Sequence, residues 1–289
     1  MKVLFISDFI LEQRQGGAQV SNSLIIQKGR ELGHEIIEHH YSSSVIDFLS
    51  SYDLLISSNL EAISQKSPEK LGFIFNHPNH ARLEHDSCSY LKSDDRKKLF
   101  KSSKQNFFLS QFHISFFRDL YGDFFENVEI VYDPINADIF KPNSGEKKYD
   151  VVYCGYLHPL KGLNSLVSFA QDNPNRKINV FGWGDLDCEA FFSGHPNLTF
   201  GGAKQHEEIA AILQQSKALY HNPVVNEPFC RMIGEGLLCG VKEVIGATHK
   251  IGSYLEFNAV GYEKFKNGCD RAADIFWEKI KERSLTCII

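Results

Sequence analysis

Residues 222–240 have the sequence NPVVNEPFCRMIGEGLLCG, which carries two glutamates eight positions apart, Glu227 and Glu235. The run 218–221 in front of it is typical of a strand, the prolines around Glu227 indicate a loop, and a helix is predicted over 231–239. In open α/β sheets, ligands bind at the carboxyl ends of strands, against helix N-termini. Both carboxylates are therefore candidates for a binding crevice, although a solvated loop acid and a solvated helix acid would show the same spacing.

The first half of the chain alternates short apolar runs with amphipathic helical segments. This alternation is typical of a doubly wound domain built on a parallel sheet. A first helix is predicted to follow the diglycine at 16–17 and to end at Gly33. The predicted strands are residues 3–7, 34–40, 52–57, 71–75, 105–110 and 128–131.

A segment rich in Pro, Asn, Gly and Asp, DPINADIFKPNSG at 133–145, predicts a domain boundary. Beyond it the alternation of strands and helices restarts. We therefore predict an N-terminal Rossmann-like domain over residues 1–134 and a C-terminal one over 135–262. Residues 263–289 are predicted to be a C-terminal helix that can return to the N-terminal domain. Two such domains joined by a hinge place a ligand in the cleft between them.

The composition narrows the functional classes. The chain has 289 residues, a formal net charge of −5 and no basic run of the nucleic-acid-binding type, so we expect no nucleic-acid partner. Its 7 cysteines form no CxxC pair, which disfavours a zinc ribbon or a disulfide framework. The sequence contains no apolar run of transmembrane length. A cytoplasmic enzyme fits these features best, with peripheral attachment to a membrane left open.

Two polar segments of the N-terminal half suggest ligand contacts. The diglycine at the mouth of the first helix allows close approach to a phosphate or carboxylate, although a plain turn fits it too and the pattern is not GxGxxG. Residues 76–86, NHPNHARLEHD, include His77, His80 and His85. These histidines lack HxxxH spacing and a proline interrupts them, so we predict a binding loop and no metal site.

These pieces occur in an order that resembles the retaining GT-B-fold glycosyltransferases of family 4. The resemblance covers residues 2–250, and its carriers are GGAQVSNSLIIQKGRELGHEI, the hinge PINADIFKP, the loop GYLHPLKG, the turn FGWGD and the E-x7-E stretch NEPFCRMIGEGLLCG. It implies an α/β GT-B fold with two Rossmann-like domains and a cleft between them. It also implies transfer of a sugar, with retention, from a nucleotide-sugar donor to the hydroxyl of a glycan, lipid-linked or small-molecule acceptor.

The resemblance implies roles for individual residues. Lys161 matches the lysine that pairs with the donor diphosphate, where an ammonium offsets the charge that develops as the diphosphate leaves. Glu227 matches the glutamate near the donor sugar, and Glu235 matches the one that accepts hydrogen bonds from ribose hydroxyls. The histidine that the N-terminal domain offers to the sugar matches His85, with His77 as the second choice. The glycines matched to loops that approach the substrates or carry the lysine are Gly16, Gly17 and Gly155.

Two positions depart from the family pattern. Tyr156 stands where an arginine commonly follows the glycine, so a second cation for the diphosphate is expected from Arg231. Cys230 stands where the E-P-F-G pattern has its glycine. The glycine-rich segment that usually follows is also reduced to GATHKIGSYLEF.

Retention is expected to proceed by front-side attack, in which the protein supplies positioning and charge stabilisation. No metal and no other cofactor is expected, because Lys161 and helix N-termini hold the diphosphate. Three alternatives were weighed against this function. They are a GT-A transferase using Asp185 and Asp187 as a DxD metal motif, a GT-B-fold sugar-nucleotide epimerase, and a non-catalytic nucleotide-sugar or glycan-binding GT-B module.

Overall fold

A computed structural model describes residues 1–13, 16–43, 51–87, 91–123, 126–185 and 187–286. The chain forms two compact units. Unit 1 consists of Met1–Pro134 together with Asn267–Ile289, and unit 2 consists of Ile135–Lys266.

The strands of the described chain follow the predicted alternation closely, with one exception described below. They are β1 (Lys2–Ile6), β2 (Glu35–His39), β3 (Leu54–Ser58), β4 (His80–Leu83), β5 (Gln105–Phe108), β6 (Val128–Ile130), β7 (Tyr149–Tyr156), β8 (Ile178–Trp183), β9 (Leu198–Phe200), β10 (Ser216–Tyr220) and β11 (Glu243–Ile245).

Helices connect these strands, as expected for parallel pairing. They are α1 (Gly17–Glu31), α2 (Glu61–Lys66), α3 (Glu69–Asn76), α4 (Ser93–Ser102), α5 (Gln111–Tyr121), α6 (Leu163–Asp172), α7 (Cys188–Ser193), α8 (His206–Gln214), α9 (Arg231–Leu238), α10 (Gly252–Val260), α11 (Tyr262–Asp270) and α12 (Ala272–Thr286).

Each unit contains one parallel sheet. The strand order is β2-β1-β3-β4-β5-β6 in unit 1 and β11-β10-β7-β8-β9 in unit 2. In each sheet the order reverses beside the first strand, between β1 and β3 in unit 1 and between β7 and β10 in unit 2. Ligands of doubly wound sheets bind outside the carboxyl ends of the strands at such a reversal.

One predicted element of unit 1 is wrong. Residues 71–75 were predicted to be a strand, but they lie in helix α3, which buries Leu71 and Ile74 on one face. The missing strand is β4, which lies inside the polar segment predicted to be a loop. Its residues His80 and Arg82 are buried but polar, so no apolar run revealed the strand.

Residues 263–289 are predicted to form one helix, but the described part of this segment forms two, α11 and α12, separated at Arg271. The spacing that motivated the prediction continues across the break, since Phe265, Cys269, Ala272, Phe276 and Ile280 are all buried. A one-residue interruption leaves such a pattern intact, so periodicity could not detect it. Helix α12 packs on α1, where the Trp277 indole donates a 2.8 Å hydrogen bond to the carbonyl oxygen of Ile25.

Candidate active site

The two segments that carry the predicted donor residues meet at the strand-order reversal of unit 2. Strand β7 leads into a short 3-10 turn at Pro159–Lys161, and β10 leads into the loop that contains Glu227. The left-handed Gly162 (φ +90°) lets the first segment pass close to the second, because a Cβ there would collide with the carbonyl oxygen of Asn222. The amide of Val224 then donates to the carbonyl of Leu160 at 3.0 Å.

The loop that contains Glu227 is fixed by the segment just before α10. The amide of Glu227 donates to the Lys250 carbonyl at 2.8 Å, and its own carbonyl accepts from the amide of Gly252 at 2.9 Å. The hydroxyl of Ser253 donates to the Cys230 carbonyl at 3.1 Å. The shortened segment GATHKIGSYLEF therefore still holds the glutamate in place.

Four side chains form what we call the acid–lysine cluster: Lys161, His221, Glu227 and Cys230. The ammonium of Lys161 lies 2.6 Å from Oε1 of Glu227, and Nε2 of His221 lies 3.6 Å from the same oxygen. Lys161 is partly exposed, whereas Glu227 and His221 are buried. The cluster is therefore a buried carboxylate flanked by an ammonium group and an imidazole, close to the carboxyl ends of β7 and β10.

The ionisation of the cluster follows from these contacts. Burial by itself would raise the pKa of Glu227, but the Lys161 ammonium and the His221 ring outweigh it and hold the pKa at about 2. For His221 the effect of burial is to lower the pKa, but the Cys230 sulfur and the Glu227 carboxylate outweigh burial and raise the pKa above its ordinary value. Glu227 is therefore a carboxylate at neutral pH, able to accept hydrogen bonds.

Cys230 occupies a backbone position that favours glycine. It caps the amino end of α9 with φ +66°, in the left-handed region that L side chains rarely adopt. The departure from the E-P-F-G pattern thus puts a side chain where the backbone conformation disfavours one. Its sulfur points into the acid–lysine cluster, within 4.8 Å of ligand atoms of His221 and Glu227.

The second glutamate lies one turn into α9. Glu235 is buried, and a guanidinium nitrogen of Arg231 lies 3.4 Å from its Oε1. The glycines on either side of Glu235 allow close packing, because a Cβ at Gly234 would press on Phe229 and one at Gly236 would collide with Leu219. Each of the two glutamates thus has its own cationic partner, Lys161 for Glu227 and Arg231 for Glu235.

Gly155 lies near the end of β7, next to Gly182 of β8, and both have positive φ. A Cβ at Gly182 would collide with the Gly155 carbonyl, so the glycine of the FGWGD turn allows the two strand ends to approach. The following residue, Tyr156, donates a 2.5 Å hydrogen bond to Asp185. The remaining acid of the DxD sequence, Asp187, caps α7 by accepting from the Ala190 amide at 3.1 Å.

A second polar group, which we call the histidine cluster, lies at the strand-order reversal of unit 1: Ser21, Asn22, Ser58, His85 and Asp133. Nε2 of His85 lies 2.9 Å from Oδ1 of Asn22, and Nδ1 lies 3.7 Å from Oδ1 of Asp133. The Ser21 hydroxyl donates to Asp133 at 2.7 Å. All five side chains are buried, and they come from the start of α1 and the carboxyl ends of β3, β4 and β6.

The structure separates the two candidate histidines. His85 follows the carboxyl end of β4, whereas His77 precedes its amino end and bonds the backbone of Asn79. His77 therefore lies at the amino ends of the strands, whereas the histidine cluster lies at their carboxyl ends. Gly16 and Gly17 mark the start of α1 as predicted, with Gly16 as its N-cap.

Two functional candidates were missing from the sequence prediction. The sequence predicts His221 as the last residue of a strand and Asp133 as part of the domain boundary. A shared signal existed for both, because each is a polar residue directly after an apolar run, where a parallel strand presents its carboxyl end.

The chain matches no family model and no curated protein. It is similar to solved structures along its whole length. Anabaena HepE in complex with UDP and glucose aligns with a TM-score of 0.60 and 16% identity over 100% of this chain and 99% of that one. The sucrose-phosphate synthase of Thermosynechococcus elongatus aligns with a TM-score of 0.67 and 12% identity over 99% and 98%.

This chain has the GT-B fold. An alpha-glucosyltransferase in complex with UDP and a 13-mer DNA also aligns, with a TM-score of 0.58 and 11% identity over 97% of each chain. The fold rules out the GT-A alternative, in agreement with the use of Asp187 as a helix cap. Within the described residues, every helix is too short or too polar to cross a membrane.

Proposed function

We propose that the protein is a glycosyltransferase that moves a sugar from a nucleotide-sugar donor to an acceptor hydroxyl with retention, as in family 4. One observation carries the proposal. A lysine and a buried glutamate, Lys161 and Glu227, meet 2.6 Å apart at the strand-order reversal of the second sheet in a GT-B fold. The carboxyl ends of strands at such a reversal are where doubly wound sheets bind nucleotides, and the similarity to structures solved with UDP or UDP-glucose supports a nucleotide-sugar donor.

The donor residues act through charge and position. The ammonium of Lys161 is half-exposed, so it can turn from Glu227 to a diphosphate and offset the charge on the leaving group. Glu227 then accepts hydrogen bonds from hydroxyls of the donor sugar. Glu235, held by Arg231, is suited to the ribose hydroxyls, and Arg231 can add a second positive charge near the phosphates. Gly155 keeps the end of β7 free of a side chain.

The acceptor is proposed to bind unit 1 at the histidine cluster. With Asn22 accepting from Nε2–H, the imidazole of His85 has a fixed orientation, and its Nδ1 lies 3.7 Å from Oδ1 of Asp133. A glycan, lipid-linked or small-molecule hydroxyl is the proposed acceptor. Gly17 puts no side chain over the start of α1, where a polar group of that substrate is proposed to bind; Gly16 accommodates the Gln19 side chain, which would collide with a Cβ there. No metal is needed for the transfer, because Lys161 supplies the positive charge.

Incubation with UDP-, GDP- and ADP-sugars tests the function. We expect nucleotide release with at least one donor, and a rise in melting temperature with the matching nucleotide, because a ligand that binds only the folded state stabilises it. Binding of a nucleotide without any release, across an acceptor panel, would favour the non-catalytic module. If no donor gives nucleotide release and none gives a thermal shift, both the transferase and the non-catalytic module are refuted.

A further inference from the structure

The acid–lysine cluster contains three potential metal-ligand atoms, of which the proposed sugar transfer uses only the one on the Glu227 carboxylate. An imidazole nitrogen of His221, a carboxylate oxygen of Glu227 and the sulfur of Cys230 lie within 4.8 Å of one another. Neither ring nitrogen of the buried His221 has a hydrogen-bond partner of good geometry among the residues that the structure describes. A buried, unsatisfied imidazole that faces a carboxylate and a thiol indicates a missing ligand.

We propose that His221, Glu227 and Cys230 form a binding site for Zn²⁺ or a similar borderline-soft divalent ion. Nitrogen, oxygen and sulfur donors together suit zinc, whereas Mg²⁺ and Ca²⁺ prefer oxygen alone. Ligand atoms around a tetrahedral zinc ion are about 3.3 to 3.6 Å apart, by the usual zinc–ligand distances. The Nε2–Oε1 separation of 3.6 Å already meets this requirement.

The backbone holds the three ligands in place before any ion binds. The backbone amide of His221 donates to the Ile245 carbonyl at 2.9 Å. The backbone amide and carbonyl of Glu227 are both hydrogen-bonded, as described above. The Cys230 carbonyl accepts from Ser253, which fixes the unusual backbone conformation that turns its sulfur inward. Cys230 is partly exposed, so an ion can enter from solvent and a water can take the fourth position.

Zinc would compete with the Lys161 ammonium for Glu227, because both approach the same carboxylate. The bound ion would therefore withdraw Glu227 from the donor sugar and inhibit transfer. This consequence rests on the proposed function, whereas binding of the ion does not.

Titration with Co²⁺, followed by displacement with Zn²⁺, tests the site. A thiolate ligand gives Co²⁺ a charge-transfer absorption in the near ultraviolet, which Zn²⁺ abolishes. We expect one equivalent of Co²⁺ to produce this band in the full chain. Cys230→Gly should remove it, while Cys188→Ser, at a buried cysteine of the same unit, should keep it. His221→Gln, which removes one of the three ligands, should weaken Zn²⁺ binding by more than the roughly tenfold lost when a zinc site loses an outer-shell partner.

Misfolding of Cys230→Gly does not explain a loss of the cobalt band, because glycine suits the φ of +66° at position 230. Cys230→Gly is thus expected to melt at or above the wild-type temperature. Absence of the band in the wild-type protein, or its survival in Cys230→Gly, would overturn the proposal. Inhibition of transfer by Zn²⁺, reversed by a chelator, tests the consequence separately. If no donor is turned over even without zinc, the proposed function fails and the cobalt spectrum still decides the metal site.

Discussion

Replacing Glu227 with glutamine is expected to lower the rate of sugar transfer by about 10²- to 10³-fold, the usual cost of removing one preorganised polar contact to the transition state. The amide keeps the size of the side chain but loses its charge. It loses the ion pair that the carboxylate makes with Lys161 at 2.6 Å, and one of the two acceptor oxygens becomes an NH2 donor. The initial rate of nucleotide release, measured at saturating donor, gives the size of the effect.

The matched control is Glu207→Gln, on the exposed face of α8 in the same unit. This variant should turn over the donor at the wild-type rate. Both variants should keep the circular-dichroism spectrum of the wild-type protein, since the backbone bonds of Glu227 do not involve its side chain. Unchanged turnover in Glu227→Gln would refute the role of this glutamate.

Replacing Glu84 with glutamine is expected to destabilise unit 1 by about 3 to 5 kcal/mol, the typical cost of leaving a buried charge without its partner. The side chains of Glu84 and Arg82 are both fully buried and lie 2.9 Å apart. Arg96, also buried, approaches the same carboxylate at 4.0 Å. The variant would leave two buried guanidinium groups facing a neutral amide, with Arg96 keeping the Glu61 carboxylate at 3.5 Å.

Glu38→Gln provides the control, because Glu38 and Arg30 form a pair of the same length, 2.9 Å, in the same unit. That pair is solvent-exposed, so its loss should change the free energy of unfolding by less than about 1 kcal/mol. Trp277 is buried in unit 1 and Trp183 is exposed in unit 2, so fluorescence in a Trp183→Phe background follows unit 1 during urea unfolding. Equal losses in the two variants would contradict the prediction.

Acid titration gives an independent measure of the same buried charge. Burial would raise the pKa of Glu84, but Arg82 and Arg96 outweigh it and lower the pKa from 4.5 to about 2. The folded state therefore binds this proton more weakly than the unfolded state does. The resulting stability is complete above pH 4.5 and is lost as the pH falls toward 2. Glu84→Gln should lack this part of the acid dependence.

The sequence predicts the strands of unit 2 and the loop and helix that carry its two acids, because local and global signals agree there, but it does not predict helices α7 and α10. Its strands are short apolar runs, its turns carry glycine or proline, and the Glu227 loop lies between prolines. The E-x7-E spacing then gives the separation of the two acids, because α9 begins at Arg231 and carries Glu235 one turn later.

The sequence predicts unit 1 less well where charge is buried. Strand β4 places Arg82 in the core, where Glu84, two residues further along the chain, compensates its charge, and Arg96 lies 4.0 Å from the same carboxylate. Apolar periodicity does not reveal such a strand, because its buried side chains include charged ones. The more apolar segment at residues 71–75 matches the strand pattern instead.

Side-chain clusters from separate strands are also beyond sequence patterns. His221 and Lys161 are 60 positions apart in the chain and converge on Glu227 only because β7 and β10 are adjacent in the sheet. The position of Cys230 was visible as a departure from the expected glycine. Its consequence, a sulfur turned into the cluster by a left-handed backbone, required the structure.

The central claim is that the acid–lysine cluster binds the diphosphate of a nucleotide-sugar donor, and calorimetric titration with UDP, GDP and ADP tests it directly. We predict that at least one of these nucleotides binds the wild-type protein and that Lys161→Ala weakens its binding at least about tenfold, since a charge-assisted contact to phosphate is worth roughly 1.5 to 3 kcal/mol. Lys217→Ala, at an exposed lysine of β10, should bind with wild-type affinity. Wild-type affinity in Lys161→Ala, or no binding of any nucleotide to the wild-type protein, would contradict the claim.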